Sequence, residues 1–180
     1  MKKTVLTFGL ISGVMISVLM GGSLLIADKI GSGHSMVLGY TMMVASFLLV
    51  YFGIRSYRDN TLGGQISFGR AFSCGILITL ITCIFYVATW EVVYFKFMPH
   101  FMDSYWAAQI HKIQSAGLDP ATTAAQIAAI QHSQQLYQNP LVNMAYTFME
   151  PLPVGLLMTL ISAAVLRRKA AAEPTAAPQT

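Results

Sequence analysis

Residues 71–95 read AFSCGILITLITCIFYVATWEVVYF, 25 positions with one acid, Glu91, and no Lys or Arg. About 20 mainly apolar residues, rising about 1.5 Å each, carry a helix across a hydrocarbon core of about 30 Å. The segment is therefore long enough to span a membrane. Three further runs share its character, 4–27, 36–54 and 141–166, with 24, 19 and 26 residues. A soluble domain can bury long apolar helices, but it covers them with charged faces, and only 10% of this chain is Asp, Glu, Lys or Arg. The expected fold is an all-α membrane protein of four transmembrane helices, one membrane domain over residues 1–169. A tail at 170–180, rich in Ala, Pro and Thr, is expected to be disordered.

Orientation follows from the basic flanks, since Lys and Arg accumulate on the cytoplasmic side of short loops. Lys2, Lys3, Arg55, Arg58, Arg70, Arg167, Arg168 and Lys169 fall at one side of the four runs, and Lys29, Lys96 and Lys112 at the other. Both termini are expected in the cytoplasm, as an even number of spans also requires. The expected location is a bacterial cytoplasmic (inner) membrane. The net charge of +4 is then a topology signal, with Arg55, Arg58, Arg70, Arg167, Arg168 and Lys169 meeting anionic headgroups, and no nucleic-acid partner is expected. Lys2 and Lys3 before an apolar run also suit a signal peptide. The run exceeds the usual 7 to 15 residues, however, and Leu25 stands where a small residue is wanted, so it reads as an uncleaved span.

Connections are marked by turn and cap residues. Asp28, Lys29, Gly31, Ser32 and Gly33 read as a tight turn between spans one and two. Between spans two and three, Asp59, Asn60, Gly63 and Gly64 form turns, and Ser67 is placed to cap a helix entering near Phe68. Residues 96–139 form the one sizeable piece outside the spans and read as a small extracytoplasmic helical hairpin. Met102, Trp106, Ile110, Ile113 and Gly117 recur at helical spacing. Gly117 and Asp119-Pro120 stop one helix and start the next, in which Ala124, Ile127, Ile130 and Tyr137 share a face. Asn139-Pro140 starts the fourth span in the same way.

Within the spans, Gly9, Gly13 and Ser17 form a small-residue stripe of the kind that lets helices approach closely in lipid. Gly75-Ile-Leu-Ile-Thr-Leu-Ile-Thr resembles Gly155-Leu-Leu-Met-Thr-Leu-Ile-Ser. Either an inverted repeat or a coincidence within a restricted apolar alphabet accounts for the match. Cys74 and Cys83, nine residues apart, are separated by about 13 Å of helical rise and cannot bridge.

The candidate functional residues are the two carboxylates inside spans, Glu91 and Glu150. A charge within hydrocarbon costs about 2.5–3.5 kcal/mol on insertion scales, so such groups usually face a bundle interior or a water path. Glu91 lies about 6 Å inside its run, near enough to reach water or Lys96, and Glu150 about 13 Å. Pro151 and Pro153 remove two backbone donors directly after Glu150, and the residue before a proline is biased away from helical geometry. Span four is expected to be two half-helices meeting beside a carboxylate, or a proline kink with a neutral or paired acid.

No two of His34, His100, His111 and His132 stand at i, i+3 or i, i+4, and with Asp103 and Asp119 they read as surface residues, so no metal is expected. No Walker loop, dinucleotide fingerprint, GxSxG or CxxC motif occurs, and neither a cofactor nor an enzymatic activity is expected.

Residues 52–72, FGIRSYRDNTLGGQISFGRAF, together with KKTVL at 2–6 and EPLPVGLLMTLISA at 150–163, resemble the bacterial family called domain of unknown function 4199. The resemblance covers about residues 1–169 and keeps the order of the four spans. It implies a small bacterial membrane protein and carries no activity with it. Two functions fit these residues. One is a non-enzymatic partner-binding, assembly or modulatory subunit, held in the lipid bilayer and bound to a membrane-protein partner or to copies of itself. The other is a small oligomeric transporter or ion or proton pathway using Glu150.

Overall fold

The computed structural model describes residues 1–30, 32–98, 100 and 102–168, with side chains outside 24–36. It comprises α1 (Lys2–Ile30), α2 (Ser32–Thr61), α3 (Phe68–Val92), α4 (Asp103–Gln114), α5 (Pro120–Tyr137), α6 (Pro140–Met149) and α7 (Pro151–Leu166), with a π-helical turn over Val93–Phe97 extending α3. The protein is all-α, with four apolar helical segments of membrane-crossing length: Lys2–Ser23, Val37–Thr61, Phe68–Phe97 and Pro140–Leu166. The tail at 170–180, Lys169 and Gly31, at the middle of the expected first turn, lie outside the described residues.

Local chemistry sets the helix ends. Ser67 takes an extended conformation, and its hydroxyl accepts from the Arg70 amide at 3.4 Å. Asp119 accepts from the amides of Ala121 and Thr122 at 3.1 and 3.0 Å, and Asn139 accepts from Leu141, each with a proline entering the next helix. Gly117, at φ 67°, supplies the left-handed residue that stops α4. Helix α2 runs to Thr61, about two turns past the apolar run, because Arg55 and Asp59 pair at i, i+4 (3.6 Å) on a solvent-facing surface where helix needs no apolar side chains.

Constant register offsets define the bundle. Gly9 faces Ile81, Gly13 faces Phe85, and the Thr89 hydroxyl donates to Ser17 Oγ at 2.7 Å, so α1 and α3 run parallel. Phe47 against Gly155, and Arg58 against the Leu166 carbonyl at 3.4 Å, make α2 and α7 parallel in turn. Ser12 ties α1 to antiparallel α2 through the Ser46 carbonyl at 2.9 Å. Around the bundle the order is α1, α2, α7, α3, with α2 also touching α3 across the diagonal. The basic flanking residues therefore meet at one end of the bundle, where Ile66 and Arg168 form an isolated bridge.

Burial suits lipid. Leu6, Val14, Val18, Ile84, Leu141 and Val165 are exposed, while Ser12, Ser46, Thr79, Thr82, Thr159 and Ser162 are buried. Without a hydrophobic drive between helices, close approach of small residues and hydrogen bonds across helices hold a membrane bundle together. The Gly9, Gly13 and Ser17 stripe performs that role against α3: a Cβ at Gly9 or Gly13 would come within 2.8 or 2.5 Å of the facing side chain.

The two similar octapeptides face each other. Gly75 lies against the Thr159 methyl and Gly155 against the Thr79 methyl, while the two threonine hydroxyls hydrogen-bond at 3.0 Å. Thr82 and Ser162, and Cys83 and Ala163, are buried at matching positions. The pairing is reciprocal, as expected of equivalent segments crossing antiparallel. Both cysteines are free thiols.

At the opposite end from the basic residues, α4 and α5 pack on each other as a hairpin with no fully buried residue. Met102, Trp106, Ile110 and Ile113 are half-buried as the periodicity predicts. On α5 the half-buried stripe is Thr123, Ile127, Ile130, Gln134 and Tyr137, whereas Ala124 is exposed. An alanine has too little side chain to set the face a helix presents, and the isoleucines decide it.

Candidate intramembrane site

The fourth span breaks at Glu150. Helix α6 ends at Met149 and α7 begins at Pro151, because neither Pro151 nor Pro153 can donate to the preceding turn. Glu150 itself keeps helical dihedrals (φ −73°, ψ −56°), contrary to the expected extended residue before a proline. That preference is a bias of local sterics, and here packing overrides it: Pro151 is buried and both half-helices continue against α3. The interruption is one of hydrogen bonding more than of direction.

Glu150 sits about 15 Å along the span from Pro140. The Tyr86 hydroxyl on α3 donates to Glu150 Oε2 at 2.8 Å. Tyr86 is half-buried, but Glu150 is exposed on the flank of the bundle, beside exposed Met149 and Pro153. Among the described residues no second donor meets this carboxylate, leaving Oε1 open. Pro153 makes no polar contribution and Pro151 acts through packing.

One turn before Glu150, a file of polar groups leads from Thr147 to the hairpin end. Thr147, 4% exposed, donates to Asn143 Oδ1 at 3.1 Å, and Asn143, fully buried, donates from Nδ2 to the Tyr137 carbonyl at 3.3 Å. The Tyr137 hydroxyl accepts from Trp90 Nε1 at 3.1 Å, and Gln138 donates to the Tyr94 hydroxyl at 3.3 Å. The rings of Trp90 and Tyr94 stack, and Tyr137 meets Tyr94 and Trp106 nearly edge-on. Burial pushes the Tyr137 phenol above its ordinary pKa, keeping it a neutral donor and acceptor. These contacts anchor the C-terminal end of α5 to spans three and four, and α4 is held through Tyr137 of α5. Sequence reasoning had named none of Tyr86, Asn143, Thr147 or Trp90 as partners. Asn143, Thr147 and Glu150 nevertheless recur at i, i+4 and i+7, a polar stripe in an apolar span, and that signal was available.

Glu91 does not join this file. It is half-buried, its Oε1 is buried without a hydrogen-bond partner, and it forms no ion pair with Lys96 among the described residues. The expected reach to Lys96 is not made, because the π-helical turn leaves Lys96 exposed. At the basic end, Asp59 pairs with Arg58 at 2.6 Å and with Arg55, while Arg70, Arg167 and Arg168 are exposed. Among the described residues no three His, Cys, Asp or Glu side chains come together as a metal site. His100 pairs instead with Asp103 at 2.9 Å, both exposed.

A family model described as "Protein of unknown function (DUF4199)" matches residues 7–168, a range that takes in all four spans, Glu91, Glu150 and Tyr86. The chain belongs to the DUF4199 family. No curated protein and no solved structure matches this DUF4199 chain. Chemically, the site offers an acidic side chain with one oxygen held by a phenol and the other open at mid-span depth.

Proposed function

We propose that this DUF4199 protein is a non-enzymatic assembly or modulatory subunit that binds another membrane protein, or a second copy of itself, through the flank bearing Glu150 and Tyr86. One observation carries the reading: a carboxylate about 15 Å inside a span is exposed at the side of the bundle and not packed within it. Against lipid such a group is expensive, and a polar partner helix laid over it relieves that cost. The small-residue stripe of α1, which by itself also suits a partner surface, is consumed within the chain against α3. The docking role therefore falls to the Glu150 flank. In the same proposal the basic end faces the cytoplasm of a bacterial inner membrane, supported by the Lys and Arg asymmetry, and the hairpin lies outside.

Extraction in a mild detergent followed by native mass spectrometry tests the proposal. A stoichiometric companion is expected with the wild type and is lost with Glu150→Gln. Repeated recovery of the wild-type chain as a lone monomer would refute it.

The polar file from Tyr137 through Asn143 and Thr147 supports a second reading, a proton or ion pathway ending at Glu150 in an oligomer. In a flux-active reconstitution, unchanged flux with Glu150→Gln would remove that carboxylate from any such pathway.

A further inference from the structure

The registers of the bundle say what can lie against Glu150. The α3–α7 pairing puts Tyr86 at its level. The α1–α3 offset set by Gly9 with Ile81 and Gly13 with Phe85 brings Val14 there, and the α2–α7 offset set by Phe47 with Gly155 brings Met42. None of the four is cationic. The basic residue nearest that level along any span is Lys96, ten residues beyond Tyr86 and so about 15 Å away along the axis. Every other Lys or Arg of the spans is farther still, beyond the apolar segments.

Copies of one chain inserted in one orientation meet level with level. A second copy docked on this flank would therefore bring Val14, Met42, Tyr86 or another Glu150 to the open oxygen, none of them cationic. The chain's own residues bring no Lys or Arg to that level.

We infer that the Glu150 flank is a docking site for a different membrane protein, whose transmembrane helix carries a Lys or Arg near mid-bilayer and lays it against the Glu150 carboxylate. The inference rests on the partner-binding reading above and narrows it to one class of partner. Both charges are then satisfied: the cation gains an acceptor it lacks in lipid, and Tyr86 holds the carboxylate in place as the second donor. Exposed Tyr146, Met149 and Leu157 on the same fourth span provide apolar contact above and below the pair.

The test uses the full-length protein reconstituted in phosphatidylcholine vesicles with labelled single-span polyleucine helices bearing a central Lys, Leu or Ser, and reads association by energy transfer. The Lys helix is expected to associate at least tenfold more tightly than the Leu helix. Glu150→Gln, which keeps the Tyr86 acceptor, is expected to abolish that preference, and Glu150→Asp to retain it, which separates charge from folding. Equal association of the Lys and Leu helices with the wild type would overturn the inference, as would a Lys preference undiminished in Glu150→Gln. Wild-type self-association that depends on Glu150 would also overturn it, while leaving the broader partner-binding reading intact. A companion recovered from detergent extracts whose spans carry no Lys or Arg would have the same effect. Absence of any companion defeats the broader reading, and the helix assay then judges the site independently.

Discussion

Gly155→Ala should be among the most damaging single-methyl changes in this protein. A Cβ at Gly155 would lie 2.8 Å from two ring carbons of Phe47 and closer still to the Thr79 methyl. Neither neighbour has room to yield, since both are 0% exposed and the Thr79 hydroxyl is engaged with Thr159 and the Gly155 carbonyl. Overpacking of this kind costs about 1–3 kcal/mol, whereas alanine in an open helical position gains up to about 1 kcal/mol over glycine. Gly21, with nothing within 4 Å of its added Cβ, is the control. Both glycines lie inside helices and share that gain, so the two variants should differ by about 1–3 kcal/mol in unfolding free energy, measured by SDS titration in mixed micelles. Because a methyl of Thr79 makes the closest clash, Thr79→Ser keeps the hydroxyl, removes that methyl and should rescue part of the loss. A double-mutant cycle should show coupling above about 0.5 kcal/mol. The reciprocal pair, Gly75→Ala with Thr159→Ser, should behave alike, since a Cβ at Gly75 would lie 2.8 Å from the Thr159 methyl. If Gly155→Ala and Gly21→Ala were equally stable, the close crossing of α3 and α7 would be refuted, and with it the placement of Tyr86 against Glu150.

Three other outcomes are expected. Removing the Tyr137 hydroxyl with Tyr137→Phe loses the bond from Trp90; it should cost about 0.5–1.5 kcal/mol and accelerate proteolysis of the α4–α5 hairpin while the spans stay intact. Asp119 is held below the usual carboxylate range by hydrogen bonds from the Thr122 side chain and amide and the Ala121 amide. With its folded pKa depressed, its contribution is complete above the unfolded carboxylate value and disappears as pH falls through the folded one, so the protection of the Ala121 and Thr122 amides, taken against the intrinsic exchange rate at each pH, should fall in acid, and that fall should vanish in Asp119→Asn. For orientation, an impermeant thiol reagent on intact cells should label His111→Cys and spare Arg58→Cys, with native Cys74 and Cys83 silent because both are buried; labelling of Arg58→Cys from outside would invert the proposed topology.

Much of the architecture was legible in the chain because a bilayer imposes its terms residue by residue. Every stretch crossing it must satisfy its own backbone hydrogen bonds and present apolar side chains to lipid, so length and hydropathy alone define four helices. Caps are equally local: Ser67, Asp119 and Asn139 each bond to amides two or three residues ahead, and the helix starts follow. Membership in the DUF4199 family was legible too, in residues 52–72 and 150–163. What only the tertiary structure decided is which helices are neighbours and what faces each carboxylate. Lipid-facing and partner-facing apolar residues look alike in sequence, so the spatial order α1, α2, α7, α3 leaves no trace in composition. Nor does the reciprocal seating of Gly75 and Gly155, which turned an ambiguous octapeptide match into a crossing point. The same holds for the acids. Two glutamates in apolar spans are equivalent to a hydropathy scale, but the register of α3 against α6 and α7 gives Glu150 a phenol and an open flank, and leaves Glu91 with an unpartnered oxygen.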